Sequence, residues 1–122
     1  MSILSPDVDK KEVLQLLRAT RELLSTQDRW CRGSPARNRD GEPTGVFDSD
    51  AFSFCLTGAL EFMQDQLELP GDTRHAARDV LYDQILSPIS SFNDSHSHPH
   101  ILSLLDSGIE RLSQPFDATP PS

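Results

Sequence analysis

The chain has 122 residues, 36% of them apolar, with 11 basic and 19 acidic side chains and a formal charge of −8. That length suits one domain, and the charge disfavours direct nucleic-acid binding and attachment to anionic lipid, because both repel it. No run approaches the roughly 20 apolar residues that span a bilayer, and two cysteines, Cys31 and Cys55, are too few for a disulfide scaffold.

Met1–Asp9 has neither a basic start nor an apolar run, so no signal peptide is expected and the cytoplasm is the expected location. A first helix is predicted over about Asp9–Leu24, with Val13, Leu16, Leu17, Thr20, Leu23 and Leu24 forming its inward stripe. Asp9 and Glu12 have the spacing of a capping box, and Ser5-Pro6 offers an alternative start. Residues 25–48 have no sustained period and carry Gly33, Pro35, Gly41, Pro43 and Gly45. They read as a long connection pinned by Trp30, Ala36, Val46 and Phe47, with a short hairpin at Asp40-Gly41.

A second helix is predicted from Asp48 or Ser49 to about Leu67. It is apolar over a wide arc, which marks it as the central element. Gly58 in its interior costs about 1 kcal/mol relative to alanine; close approach of another backbone would explain it. After the turn Leu69-Pro70-Gly71-Asp72, a third helix runs from about Thr73 to Leu86, with Ala76, Ala77, Val80, Leu81 and Ile85 inward. Pro88 starts a short helical turn through Phe92. A last helix begins near His98 and carries Ile101, Leu105, Ile109 and Leu112. No alternating strand pattern is visible. The fold class expected is all-α: about four helices over residues 1–113, then a Pro-rich tail at 114–122.

The chemistry-bearing residues fall into three groups. Residues 27–47 hold Arg29, Arg32, Arg37 and Arg39 against Asp28, Asp40 and Glu42, a local charge of +1 that leaves −9 on the rest of the chain. These arginines either bind an anion or tie the connection to acidic helix faces while Trp30 plugs the core. His96, His98 and His100 alternate after Asp94, a spacing that could offer metal ligands or a pH-sensitive loop. Cys55 lies on an apolar helix, where a thiol packs as a small hydrophobe unless a base is near. The ligand-binding candidates are Trp30, Arg37, Asp40, Cys55, Asn93 and Asp94, and no catalytic residue is assigned.

The runs Trp30-Cys31-Arg32-Gly33, Ala36 to Gly41, Cys55-Leu56-Thr57-Gly58-Ala59 and Phe92-Asn93-Asp94 occur in that order ahead of a closing helix. Together they resemble a family of small bacterial and phage proteins of unknown function with the pattern W-x-x-G-x-x-A-x-D-x-x-G, C-x-x-G-A and F-N-D. The resemblance spans about Leu14–Leu112. Asn38 stands where that pattern has an acid, and Asp40 is the candidate to replace it. The resemblance implies a helical fold and a phage or mobile-element setting, without an activity.

Three functions are compatible with this reading. The first is a non-catalytic accessory or regulatory protein that binds another protein through an acidic surface, with homodimerisation open and no cofactor implied. The second is a small enzyme or ligand-binding protein, with a site between the 29–41 loop, the second helix and Asn93-Asp94. The third is a DNA-mimicking inhibitor using Glu61, Asp65, Glu68, Asp72, Asp79 and Asp83.

Overall fold

The computed structural model describes residues 9–113. The Pro-rich tail and the alternative start at Ser5-Pro6 lie outside them. Five helices are seen among the described residues: α1 (Lys10–Leu23), α2 (Leu56–Gln66), α3 (Gly71–Ile85), α4 (Ile89–Ser95) and α5 (His98–Ser113). Three two-residue strands, β1 (Ala36–Arg37), β2 (Pro43–Thr44) and β3 (Ser53–Phe54), form a sheet in the order β2-β1-β3. The expectation of an all-α fold of about four helices is therefore corrected in detail: the protein is mostly helical, with one additional short helix and a small three-stranded sheet that extends the expected hairpin.

α1 forms where periodicity and capping agree. Asp9 Oδ1 accepts from the Lys11 amide at 2.9 Å, which satisfies one of the orphan donors of the first turn. Glu12 does not close the box; it accepts from Thr73 Oγ1 on α3 at 3.4 Å. Val13, Leu16, Leu17 and Leu24 are fully buried. α1 lies against α5, α2 and α3, and α2 lies against α1, α3, α4 and β3. The central place expected for α2 is thus shared with α1. Arg21 and Asp106 clip α1 to α5 at 2.8 Å, at the exposed rim.

α2 begins at Leu56, seven or eight residues later than expected, and the reason is the sheet. Phe52 N–H donates to Arg37 C=O, and Ser53-Phe54 pair antiparallel with β1. Cys55, still extended, is the N-cap, and its sulfur accepts from Gly58 N–H at 3.3 Å. Ala51, Phe52, Phe54 and Cys55 are apolar in a run that suits a strand as well as a helix; a two-residue strand has too few positions to show its period.

The hairpin expected at Asp40-Gly41 is present. β1 and β2 pair antiparallel, Ala36 opposite Thr44 and Arg37 opposite Pro43, and Gly41 takes φ +86°. Val46 and Ala36 are buried anchors, whereas Phe47 is 56% exposed and only flanks Phe62.

Two glycines separate backbone from side-chain crowding. A Cβ on Gly108 would meet Leu81 Cδ2 at 3.1 Å and Val80 Cγ1 at 3.3 Å. Both are side-chain methyl groups rather than backbone, and each needs to give by only a few tenths of an ångström. Gly108→Ala is therefore expected to change stability by no more than about 1 kcal/mol, because the helix-propensity gain offsets mild overpacking. Denaturant unfolding of that variant checks this.

Candidate functional site

The connector between α1 and α2 is held by a single buried side chain on α4. Asn93 is 1% exposed. Its Oδ1 accepts from Trp30 Nε1 at 2.7 Å and from Leu56 N–H at 3.0 Å. Its Nδ2 donates to Cys31 C=O at 3.1 Å and to Asp94 Oδ1 at 3.2 Å. All four bonding positions of the amide are filled. One residue thereby fixes the indole, the connector backbone and the first amide of α2. Asp94 extends the network by accepting from Gly33 N–H at 3.1 Å.

The four connector arginines do not reach acidic helix faces. Arg37 donates to Arg32 C=O at 3.0 and 3.2 Å and to Gly41 C=O at 2.9 Å. Arg29 Nε donates to Phe52 C=O at 2.6 Å. Arg29 and Arg39 cover the Phe52 ring at 4.6 and 4.3 Å. Arg32 donates to His96 C=O and lies 5.0 Å from the Trp30 ring. An irregular connector leaves carbonyls without ladder partners, and a guanidinium supplies five donors to meet them. The expected attachment to acidic faces is replaced by attachment to backbone and rings.

The structure brings some candidates together and separates others. Trp30, Asn93 and Asp94 form the network above. Cys55 and Asp94 share a cleft of about 220 Å³ with Gly33, Ser34, Pro35, Thr57 and Ser90. Asp40 opens onto a different cleft of about 340 Å³, with Arg29, Asn38, Arg39, Asp50 and Phe52. Arg37 lines neither cleft. Asp40, Cys55, Asn93 and Asp94 therefore do not line one pocket. Asn38, rather than Asp40, supplies the acceptor in the hairpin: its Oδ1 takes Asp40 N–H at 2.9 Å and Glu42 N–H at 3.0 Å. An asparagine two residues before the donating amide is the signal of an Asx turn, and it was available in the sequence.

The three histidines do not converge on one point: His98 is turned inward, while His96 and His100 stay on the surface. His98 is buried, with Nε2 2.6 Å from Leu24 C=O and its ring 5.8 Å from Trp30. His96 stacks on Phe92 at 3.8 Å, with Nδ1 3.0 Å from Phe92 C=O. His100 Nδ1 meets Ser97 Oγ at 2.7 Å. Among the described residues no three His, Cys, Asp or Glu side chains are grouped to hold a metal ion. The alternating spacing suits ligation only in an extended loop. Here the segment turns into α5 at His98, which buries that ring and leaves His96 and His100 edge to face at 5.6 Å on the outside, each with its Nδ1 bonded locally.

Both cysteines are buried and unbridged. Burial pushes the Cys31 thiol up; Cys55 and Asp94 push it the same way, against Ser53 and Arg37.

No helix among the described residues is long and apolar enough to cross a membrane. No curated protein and no solved structure matches the chain. One family model matches residues 8–111, which is most of the chain. The chain therefore belongs to DUF6197, a family of unknown function.

Proposed function

We propose that this protein is a non-catalytic accessory or regulatory factor that binds another protein through its acidic surface. The observation that carries the reading is the state of its carboxylates. Only two ion pairs form among the described residues, Arg21–Asp106 at 2.8 Å and Arg111–Asp83 at 2.7 Å. Asp65, Glu68, Asp72 and Asp79 are exposed and take no part in them. Exposed carboxylates at the end of α2 and along α3 favour a basic partner and speed its approach.

The α3 face also offers apolar anchors. Tyr82 is 48% exposed and Leu86 is 74% exposed. Leu86 sits at the α3 C-cap with φ 54°, a conformation that costs a non-glycine residue about 1 kcal/mol or more. A large apolar side chain kept at a strained, solvent-facing cap fits contact with a partner better than it fits folding. A bacterial or phage setting belongs to the same reading and rests on the motif order, and a cytoplasmic location rests on the two unbridged cysteines.

The test is capture from a host lysate at low salt, with the wild type beside the triple variant Asp72→Asn, Asp79→Asn, Tyr82→Ala. A specific protein should be retained by the wild type, released as salt rises, and weakened about tenfold or more by the triple variant. Equal retention by both proteins, or none by either, refutes the proposal.

A further inference from the structure

We propose that Cys31 and Cys55 form a dithiol that a peroxide converts into an intramolecular disulfide, a modification site at the junction of the connector and the α2 N-terminus. This goes beyond the partner-binding reading and does not depend on it.

The geometry comes from the backbone register. Trp30 and Phe54 form a parallel bridge, and Cys31 N–H donates to Phe54 C=O at 3.0 Å. In parallel pairing the next residue on each strand lies beside its counterpart, on the opposite face. Cys31 and Cys55 are those two residues. Neighbouring strands run about 5 Å apart, which falls inside the Cα separation a disulfide spans. Ser53 is two residues before Cys55 and so faces the same side, and the Cys31 thiol, which donates to Ser34 C=O at 3.5 Å, is near enough for both Ser53 and Cys55 to act on its ionisation. The two sulfurs therefore share one face.

The pair is asymmetric. Cys55 lines the cleft of about 220 Å³, which a small peroxide can enter. Its sulfur receives the Gly58 N–H at 3.3 Å and lies 3.1 Å from Thr57 Oγ1 at the helix start. Both residues are buried, Cys31 at 9% and Cys55 at 7% exposed, but Cys31 does not line that cleft, and burial pushes its thiol up. Cys55 is thus the attacking sulfur and Cys31 the resolving one.

The chemistry balances with one equivalent of peroxide. The Cys55 sulfur attacks one oxygen, the O–O bond breaks, and the Cys55 proton leaves on the departing hydroxide as water. Cys55 is now a sulfenic acid. The Cys31 sulfur attacks it, the S–O bond breaks, and the Cys31 proton leaves with that oxygen as a second water. The two thiols lose two electrons and two protons; the peroxide is reduced to two waters.

The full chain is treated with hydrogen peroxide under native conditions, quenched, denatured, alkylated with iodoacetamide and weighed intact. The expected product has lost two hydrogens and takes no alkyl group, digestion yields a linked pair of peptides bearing Cys31 and Cys55, and dithiothreitol restores both alkylation sites. Two alkylated cysteines, oxygen added at either sulfur without cross-linking, or linkage only between chains overturns the proposal. In Cys31→Ser, dimedone is expected to label Cys55. Stronger labelling of Cys31 in Cys55→Ser overturns the assignment of the attacking sulfur.

Discussion

Replacing Asn93 with leucine is expected to destabilise the protein by about 4 kcal/mol. The substitution strands Trp30 Nε1, the Leu56 amide and the Cys31 carbonyl, all now bonded to Asn93. Each buried polar group left without a partner costs about 1–3 kcal/mol. A domain of this size is stable by about 5–15 kcal/mol, so the variant is near the edge of folding. Urea unfolding followed by Trp30 fluorescence measures the loss, and a value below about 1 kcal/mol would contradict the network.

The aspartate variant separates the acceptor from the donor. Asn93→Asp keeps an acceptor for Trp30 and Leu56, loses the donor to Cys31, and buries a carboxyl beside Asp94. Burial and a neighbouring like charge raise a carboxyl pKa. The folded pKa then lies above the unfolded one. The protonated folded form is favoured below the unfolded carboxyl pKa, and that advantage is lost as pH rises through the folded value. The deficit of this variant relative to wild type should be smallest near pH 4 and should grow toward neutrality. A deficit independent of pH would rule out ionisation of this carboxyl as its source.

Gly58→Ala is expected to cost about 3 kcal/mol, the opposite sign to its helix propensity. In an isolated helix the change would gain about 1 kcal/mol. Here a Cβ would stand 2.2 Å from Pro35 C=O and 3.0 Å from the carbonyl carbon. Both are backbone atoms, and that same carbonyl accepts the Cys55 N–H at 3.1 Å. Relief requires α2 to move from the start of β1, which disturbs the α2 N-cap and the sheet together. A shift in the denaturation midpoint with unchanged slope is the expected result. An alanine variant as stable as wild type would mean that the two backbones do not meet.

Gly58 also marks how far the chain could be read before folding. Its cost within a helix pointed to a close neighbour, and that neighbour is Pro35. The helices at Val13–Leu24, Ala76–Ile85 and Ile101–Leu112 were legible because their stripes repeat with the helical period, a property of local residues alone. The Asp9 cap and the hairpin at Gly41 were legible for the same reason. The helical turn after Pro88 was legible in place but not in length.

The third strand of the sheet was not legible. β3 pairs with β1 across an intervening hairpin, and each strand has two residues. The arginines read as charges, yet their partners are carbonyls, which every residue carries and no sequence pattern distinguishes. Similarly, the histidine spacing said nothing about which ring would be buried.

Asn93 shows the division most clearly. The amino-acid sequence by itself determined α1, α3 and α5, the Asp9 cap and the apolar stripes, because these depend on residues a few positions apart, and the acidic balance follows from composition. Only the tertiary structure decided that Asn93 holds Trp30, 63 residues away, and Leu56, 37 residues away. It likewise set Cys31 N–H on Phe54 C=O and parted Asp40 from Asp94. Such pairings join groups whose separation along the chain carries no period, so they are settled only when the packed core brings the segments together.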